Sequence, residues 1–196
     1  MTGGRAVVAV ALLVGLVLPS GRAQARSLAG HEFEETTVRE GRTLHLTGLG
    51  MREKYFFDVY VLGAWTESGA CDPDRMVRDD ETKLLRLTFV RSVPAKRMRK
   101  EVRSMVESRI PADADEAGRQ QSEAFVAIFD QDVSDGAVFE MLYVPGAGTK
   151  VTRDGKPQGA TLVGKPFQEV LWSTYMGAEP CCPKTKKQLL QSCAGK

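Results

Sequence analysis

Histidine is nearly absent from this chain: His31 and His45 are the only two in 196 residues, and neither stands at ligand spacing from a cysteine. A histidine and cysteine zinc site therefore has no framework here, and no cofactor or metal is expected. The sequence holds no Gly-x-Ser-x-Gly elbow and no Walker loop, which removes the serine hydrolase and P-loop readings. It also lacks an excess of either charge, with 27 Lys and Arg against 25 Asp and Glu. A nucleic-acid binder usually shows a marked basic stripe, so no nucleic-acid partner is expected. The run Lys96, Arg97, Arg99, Lys100, Arg103 is interrupted by Glu101 and Glu107, and it reads as a solvated helix face. Repeats and linkers are missing too, and the length fits one domain with a substantial core.

Long apolar runs are equally scarce. Residues 6 to 18 form such a run after Arg5, and Ala23-Gln24-Ala25 follows as a small-residue cleavage site, the pattern of an export signal. A membrane span needs roughly 20 apolar residues, so cleavage after Ala25 is expected, leaving residues 26 to 196 as one domain without a stable span. No cysteine ends the signal, so no lipoprotein anchor is expected. Removing residues 1 to 25 takes away Arg5 and Arg22 and no acid, which brings the formal charge from +2 to 0. Export places the product in a periplasm or outside the cell, where disulfides persist. Cys71, Cys181, Cys182 and Cys193 are the candidates. A Cys182 to Cys193 bond would staple the C-terminal helix, whereas joining the adjacent Cys181 and Cys182 requires strained geometry.

What is present reads as strands, then helices, then strands, then helices, which predicts an α+β fold. Short strands are expected at 33–37 and 43–47 around the turn Arg39-Glu40-Gly41. Next comes Gly48-Leu49-Gly50-Met51-Arg52, a glycine corner, opening on one long strand over 54–65 with Gly63 as a possible bulge. Period two then puts Arg52 and Tyr60 on one face, where a planar guanidinium and a phenol suit an anionic or enolate oxygen. Cys71-Asp72-Pro73-Asp74 reads as a surface turn, and 84–90 as a buried strand. Pro94 starts a helix to about 110, with Met98, Val102, Met105 and Val106 at helical spacing. The linker 111–115 supplies a capping aspartate for a second helix over 116–130, with a stripe of Ala124, Phe125, Ile128 and Phe129. Strands at 138–144, 149–153 and 159–163 follow, the last two joined around Asp154-Gly155. Gly146 to Lys150 reads as a tight strand connection. Helices close the chain at 166–176, ended by Gly177, and at 184–191.

Four stretches carry a family resemblance: residues 48–65, residues 84–110, Tyr143-Val144-Pro145-Gly146-Ala147-Gly148-Thr149-Lys150-Val151, and Leu171-Trp172-Ser173-Thr174-Tyr175-Met176-Gly177. Together they resemble the chalcone isomerase-like superfamily, in particular its exported bacterial members. The resemblance implies an open-faced sandwich, a large antiparallel sheet covered by helices with a ligand cleft between the layers. Arg52 matches the arginine that steadies a phenolate in the true isomerases and a carboxylate in the fatty-acid-binding relatives. The plain alternative is a sheet-edge arginine paired with Glu53 or Asp58. Tyr60, three residues before Gly63, stands where isomerases carry threonine and the fatty-acid-binding branch carries tyrosine; the alternative is a core aromatic with its hydroxyl satisfied by backbone. Thr174, three before Gly177, matches a ligand-touching threonine, or else bonds back to a helix carbonyl. Its helix is expected to turn Trp172 and Tyr175 to other faces.

Where the isomerases carry a tyrosine, a lysine and an asparagine, this chain offers Met98, Glu101 and Met105, and methionines suit an alkyl chain. The leading expectation is thus a non-catalytic periplasmic binding protein for a fatty acid or similar apolar acid. Arg52 and Tyr60 would grip its head with Thr174 assisting, and Met98, Val102 and Met105 would enclose its tail. One alternative is an intramolecular lyase of chalcone isomerase type, with Arg52 stabilising a developing oxyanion; another is an envelope protein whose cleft is vestigial and whose role is contact with a protein partner.

Overall fold

The computed structural model describes residues 24–110 and 116–191. Strands β1 (Ala25–Leu28) and β2 (His31–Glu34) form a separate hairpin. The main sheet is an antiparallel meander in chain order: β3 (Thr36–Arg39), β4 (Arg42–Lys54), β5 (Phe57–Thr66), β6 (Lys83–Phe89), β7 (Val138–Val144), β8 (Gly148–Arg153) and β9 (Lys156–Pro157). Helix α1 (Pro73–Arg78) lies between β5 and β6, and α2 (Ala95–Glu107) and α3 (Glu116–Ala127) between β6 and β7. Helices α4 (Lys165–Met176) and α5 (Pro183–Gln191) come last. This is the α+β arrangement expected, a curled sheet with helices laid over it. Among the described residues no helix is long and apolar enough to cross a membrane.

Both faces of the central strands are covered. Tyr60, Leu62 and Ala64 of β5 face the helices, in one core with Leu85, Leu87 and Phe89 of β6. Val61 and Trp65 face the opposite way, against Phe33 of the β1–β2 hairpin. A strand buried on both faces reads as a continuous apolar run rather than an alternating one, which is why the segment looked like an uninterrupted strand.

The stretch around Arg52 departs from expectation. One long β4 runs through 43–47 to Lys54, and the chain reverses at Tyr55 and Phe56 before β5, so the single strand over 54–65 is in fact a hairpin. No glycine, asparagine or aspartate marks the turn; Tyr55 itself takes a left-handed φ of +59°, which hid it from turn rules. Nor do the glycines form a corner. Gly48 and Gly50 lie within β4 under α5, where an added Cβ would stand 1.8 Å from the Leu189 carbonyl oxygen and 2.8 Å from that of Thr185. The α5 helix covers this exposed edge of the sheet: Met51 N–H donates to Gln188 Oε1 at 2.8 Å, and Thr185 Oγ1 donates to Met51 O at 2.7 Å. Gly63 sits in register between Leu49 and Arg86 and leaves room for the Trp65 ring; the register shifts fall at Leu46/Gly48 and Arg52/Glu53.

Two further expectations change. The segment 71–74 is not a plain surface turn: Asp72 caps a helix, its side chain accepting from Arg75 N–H at 2.9 Å to start α1 at Pro73. The 159–163 strand is replaced by β9, which pairs directly across Asp154-Gly155; Pro157 and the left-handed Gly159 (φ +65°) end it, and Leu162 only bridges Thr149. Residues 1–23 of the expected export signal, the linker 111–115 and Cys193 lie outside the described residues.

Candidate functional site

Arg52 on β4 stands directly opposite Tyr60 on β5. Facing residues of an antiparallel pair share one side of the sheet, here the side under the helices. Their convergence therefore arises across the hairpin rather than along one strand. The Arg52 guanidinium is not paired with Glu53 or Asp58: its Nη1 donates to the Glu53 carbonyl at 2.6 Å, and the Glu53 carboxylate pairs with Lys184.

The Tyr60 hydroxyl lies 3.0 Å from that of Tyr175 on α4, and both residues are buried. Tyr175 was expected on another face. Helix α4 is buried at Phe167, Gln168, Leu171, Trp172, Thr174, Tyr175 and Met176, which leaves only a narrow, partly exposed strip at Pro166, Glu169 and Ser173. The reasoning from one apolar stripe fails on such a helix, and neighbours in sequence, Thr174 and Tyr175, border the same space. The mixed apolar run of α4 was the available signal. Thr174 Oγ1 donates to Val170 O at 3.1 Å, the back-bonding geometry, so its proton is committed to the helix rather than to the cleft.

Burial pushes the Tyr60 phenol above its ordinary pKa, with the Tyr175 hydrogen bond and the Arg52 guanidinium pulling it part of the way back. Tyr175 is raised well above the ordinary value by burial and then by Tyr60, against the pull of Arg52 and Arg109. Both phenols are neutral at pH 7. Two hydroxyls that share one bond retain one O–H for another acceptor. Arg109, whose guanidinium is itself lowered by burial, donates to Met105 O, Ser108 Oγ and Glu179 O, each at 2.7 Å. Arg109, just past the end of α2, was not among the site residues singled out from the sequence, and its approach to Tyr175 was missed.

Behind this polar end lies an internal cavity of about 20 Å³, walled by Met98, Val102 and Met105 of α2, Phe125 of α3 and Phe129 just after it, and Met141 and Leu171. That is room for about one water molecule. Glu101 turns away from it to pair with Lys54 at 2.8 Å. An open cleft of about 310 Å³ between α2 and α3 adjoins the cavity, and Val106 lines both. The Cys181 and Cys182 sulfurs lie beside each other just before α5, so the structure does not show the expected Cys182 to Cys193 staple; Cys71 is not a free thiol, and Cys193 lies outside the described residues.

A curled antiparallel sheet, helices across one face, and a narrow apolar slot headed by an arginine and tyrosines define an α+β open-faced sandwich of chalcone isomerase type. The chain belongs to the chalcone isomerase-like family, whose family model matches residues 25–191. Among solved structures, a fatty-acid-binding protein of Arabidopsis thaliana aligns with a TM-score of 0.71 at 16% identity, over 85% of this chain and 96% of that one. At that identity the likeness speaks for the fold. No curated protein matches the chain by sequence.

Proposed function

We propose that the protein binds, without chemical turnover, an acid with an apolar tail such as a fatty acid, and that it does so in a periplasm or outside the cell once residues 1–25 are removed. The observation that carries this reading is the buried Tyr60 and Tyr175 hydroxyl pair, 3.0 Å apart beside Arg52, at the head of a wall of methionine, valine and phenylalanine. A spare O–H and a guanidinium fit one carboxylate; the tail would replace unbranched methionines, which repack at low cost. Room for it comes from the α2 and α3 cleft. Displacing Val106 joins about 310 Å³ to the cavity, which reaches the range of about 300–1,000 Å³ typical of small-ligand pockets. The ligand named for the Arabidopsis relative supports the same class. The lyase alternative is weakened because Met98 and Met105 are apolar and Glu101 is tied to Lys54.

Native mass spectrometry of the purified protein and an Arg52→Ala variant tests the proposal. The expected result is bound or added fatty acid on the wild type and its loss from the variant. A wild type that arrives empty and takes up no added acid defeats it. The near closure of the cavity would then favour the second reading, a protein-contact role with a vestigial cleft.

A further inference from the structure

The tip of the β4–β5 hairpin exposes three consecutive aromatics, Tyr55, Phe56 and Phe57, at 84%, 99% and 58%. Isolated apolar side chains on a surface are ordinary, but a contiguous projecting group marks an interaction site. Tyr55 holds φ at +59°, a conformation that a bulky side chain occupies at a cost, so the tip presents rings where glycine or asparagine would fit the turn better. Cations surround it. The Arg91 guanidinium sits 4.4 Å from the Phe57 ring centroid, and Lys54 Nζ 5.6 Å from that of Tyr55.

The Lys54 to Glu101 ion pair brings α2 alongside the hairpin, and Arg97 lies one turn before Glu101 on the same helix face. Lys96, Arg97, Arg99 and Lys100 are all exposed and make no ion pair among the described residues. Nearby Glu53 and Glu101 are neutralised by Lys184 and Lys54, which leaves Asp58 as the opposing charge on the hairpin.

We propose that this tip docks on an anionic lipid surface, with the aromatic rings entering the headgroup layer and Arg91 and the α2 cations meeting lipid phosphates. A convex aromatic knob with a flanking basic helix has the composition that binds membrane interfaces, where ring burial and attraction to anionic lipid add together. Arg52 and Tyr60 lie on the same two strands, so docking brings the head of the cleft near a source of acyl chains. Docking stands whether or not the cleft holds an acid.

Flotation of the purified protein with vesicles of phosphatidylcholine alone, and of phosphatidylcholine mixed with phosphatidylglycerol, tests it. The protein should float with the mixed vesicles, more weakly with phosphatidylcholine alone, and be released by added salt. Phe56→Ser, at a side chain that touches almost nothing, should keep the melting temperature and lower partition about tenfold, the order expected for withdrawing one phenyl ring from an apolar setting. Arg97→Glu with Lys100→Glu should lower it about fivefold or more per charge. Failure to float with the mixed vesicles overturns the proposal, as does a Phe56→Ser variant that floats like the wild type. Refusal of vesicles together with capture of a protein through the tip overturns it in favour of a protein interface.

Discussion

Replacing Tyr60 by phenylalanine removes one oxygen from a hydroxyl pair 3.0 Å apart and leaves Tyr175, only 4% exposed, with a buried hydroxyl lacking its partner. An unsatisfied buried group of this kind costs about 1–3 kcal/mol, and Tyr175→Phe incurs the same penalty in reverse. The double variant deletes both polar atoms and keeps both rings, a change that is nearly neutral. The single losses thus sum to about 2–6 kcal/mol while the double variant loses about 0–1 kcal/mol, a coupling of at least about 1 kcal/mol between contacting residues. Urea unfolding of the four proteins at neutral pH, where burial keeps both phenols protonated, measures every corner of the cycle. Additive losses would refute the shared bond, and with it the claim that the head of the cleft is a paired phenol holding one spare donor.

Gly48→Ala should destabilise by about 1–3 kcal/mol, the range for overpacking, because its Cβ would stand 1.8 Å from the Leu189 carbonyl oxygen and push α5 off the sheet edge; an unchanged urea midpoint would contradict that packing. Lys83 is fully buried, with Nζ donating to Met76 O at 2.9 Å, and burial pulls its ammonium from 10.5 down to about 8. A depressed folded pKa means the unfolded chain binds the extra proton, so this contribution is present above pH 10.5 and is lost as pH falls through 8. The wild type should gain about 2 kcal/mol between pH 8 and 10 relative to Lys83→Met; parallel stability profiles for the two proteins would exclude it.

Legibility followed the length scale of each signal. Helices α2 and α3 and strand β7 were readable because apolar spacing and flanking Pro94 are local properties of the chain. The turn at Tyr55 was not, since nothing in Lys54-Tyr55-Phe56-Phe57 carries the residues that favour a left-handed φ. Arg52 and Tyr60 were rightly placed on one face, yet by the wrong geometry: the reading used alternation along one strand, and the molecule uses register across two. Tyr175 was missed because the solvent side of α4 is only a narrow strip at Pro166, Glu169 and Ser173, so the buried arc takes in Trp172, Thr174 and Tyr175 together.

By itself the sequence determined the order of most strands and helices, the α+β class and the family, because each rests on spacing that survives in an extended chain. Tertiary structure alone decided which hydroxyl meets Tyr60, how little space remains between the layers, and why Gly48 and Gly50 must be bare. Those facts depend on atoms more than a hundred residues apart, such as Met51 and Gln188, whose approach is fixed only when sheet and helices bury their apolar faces against one another.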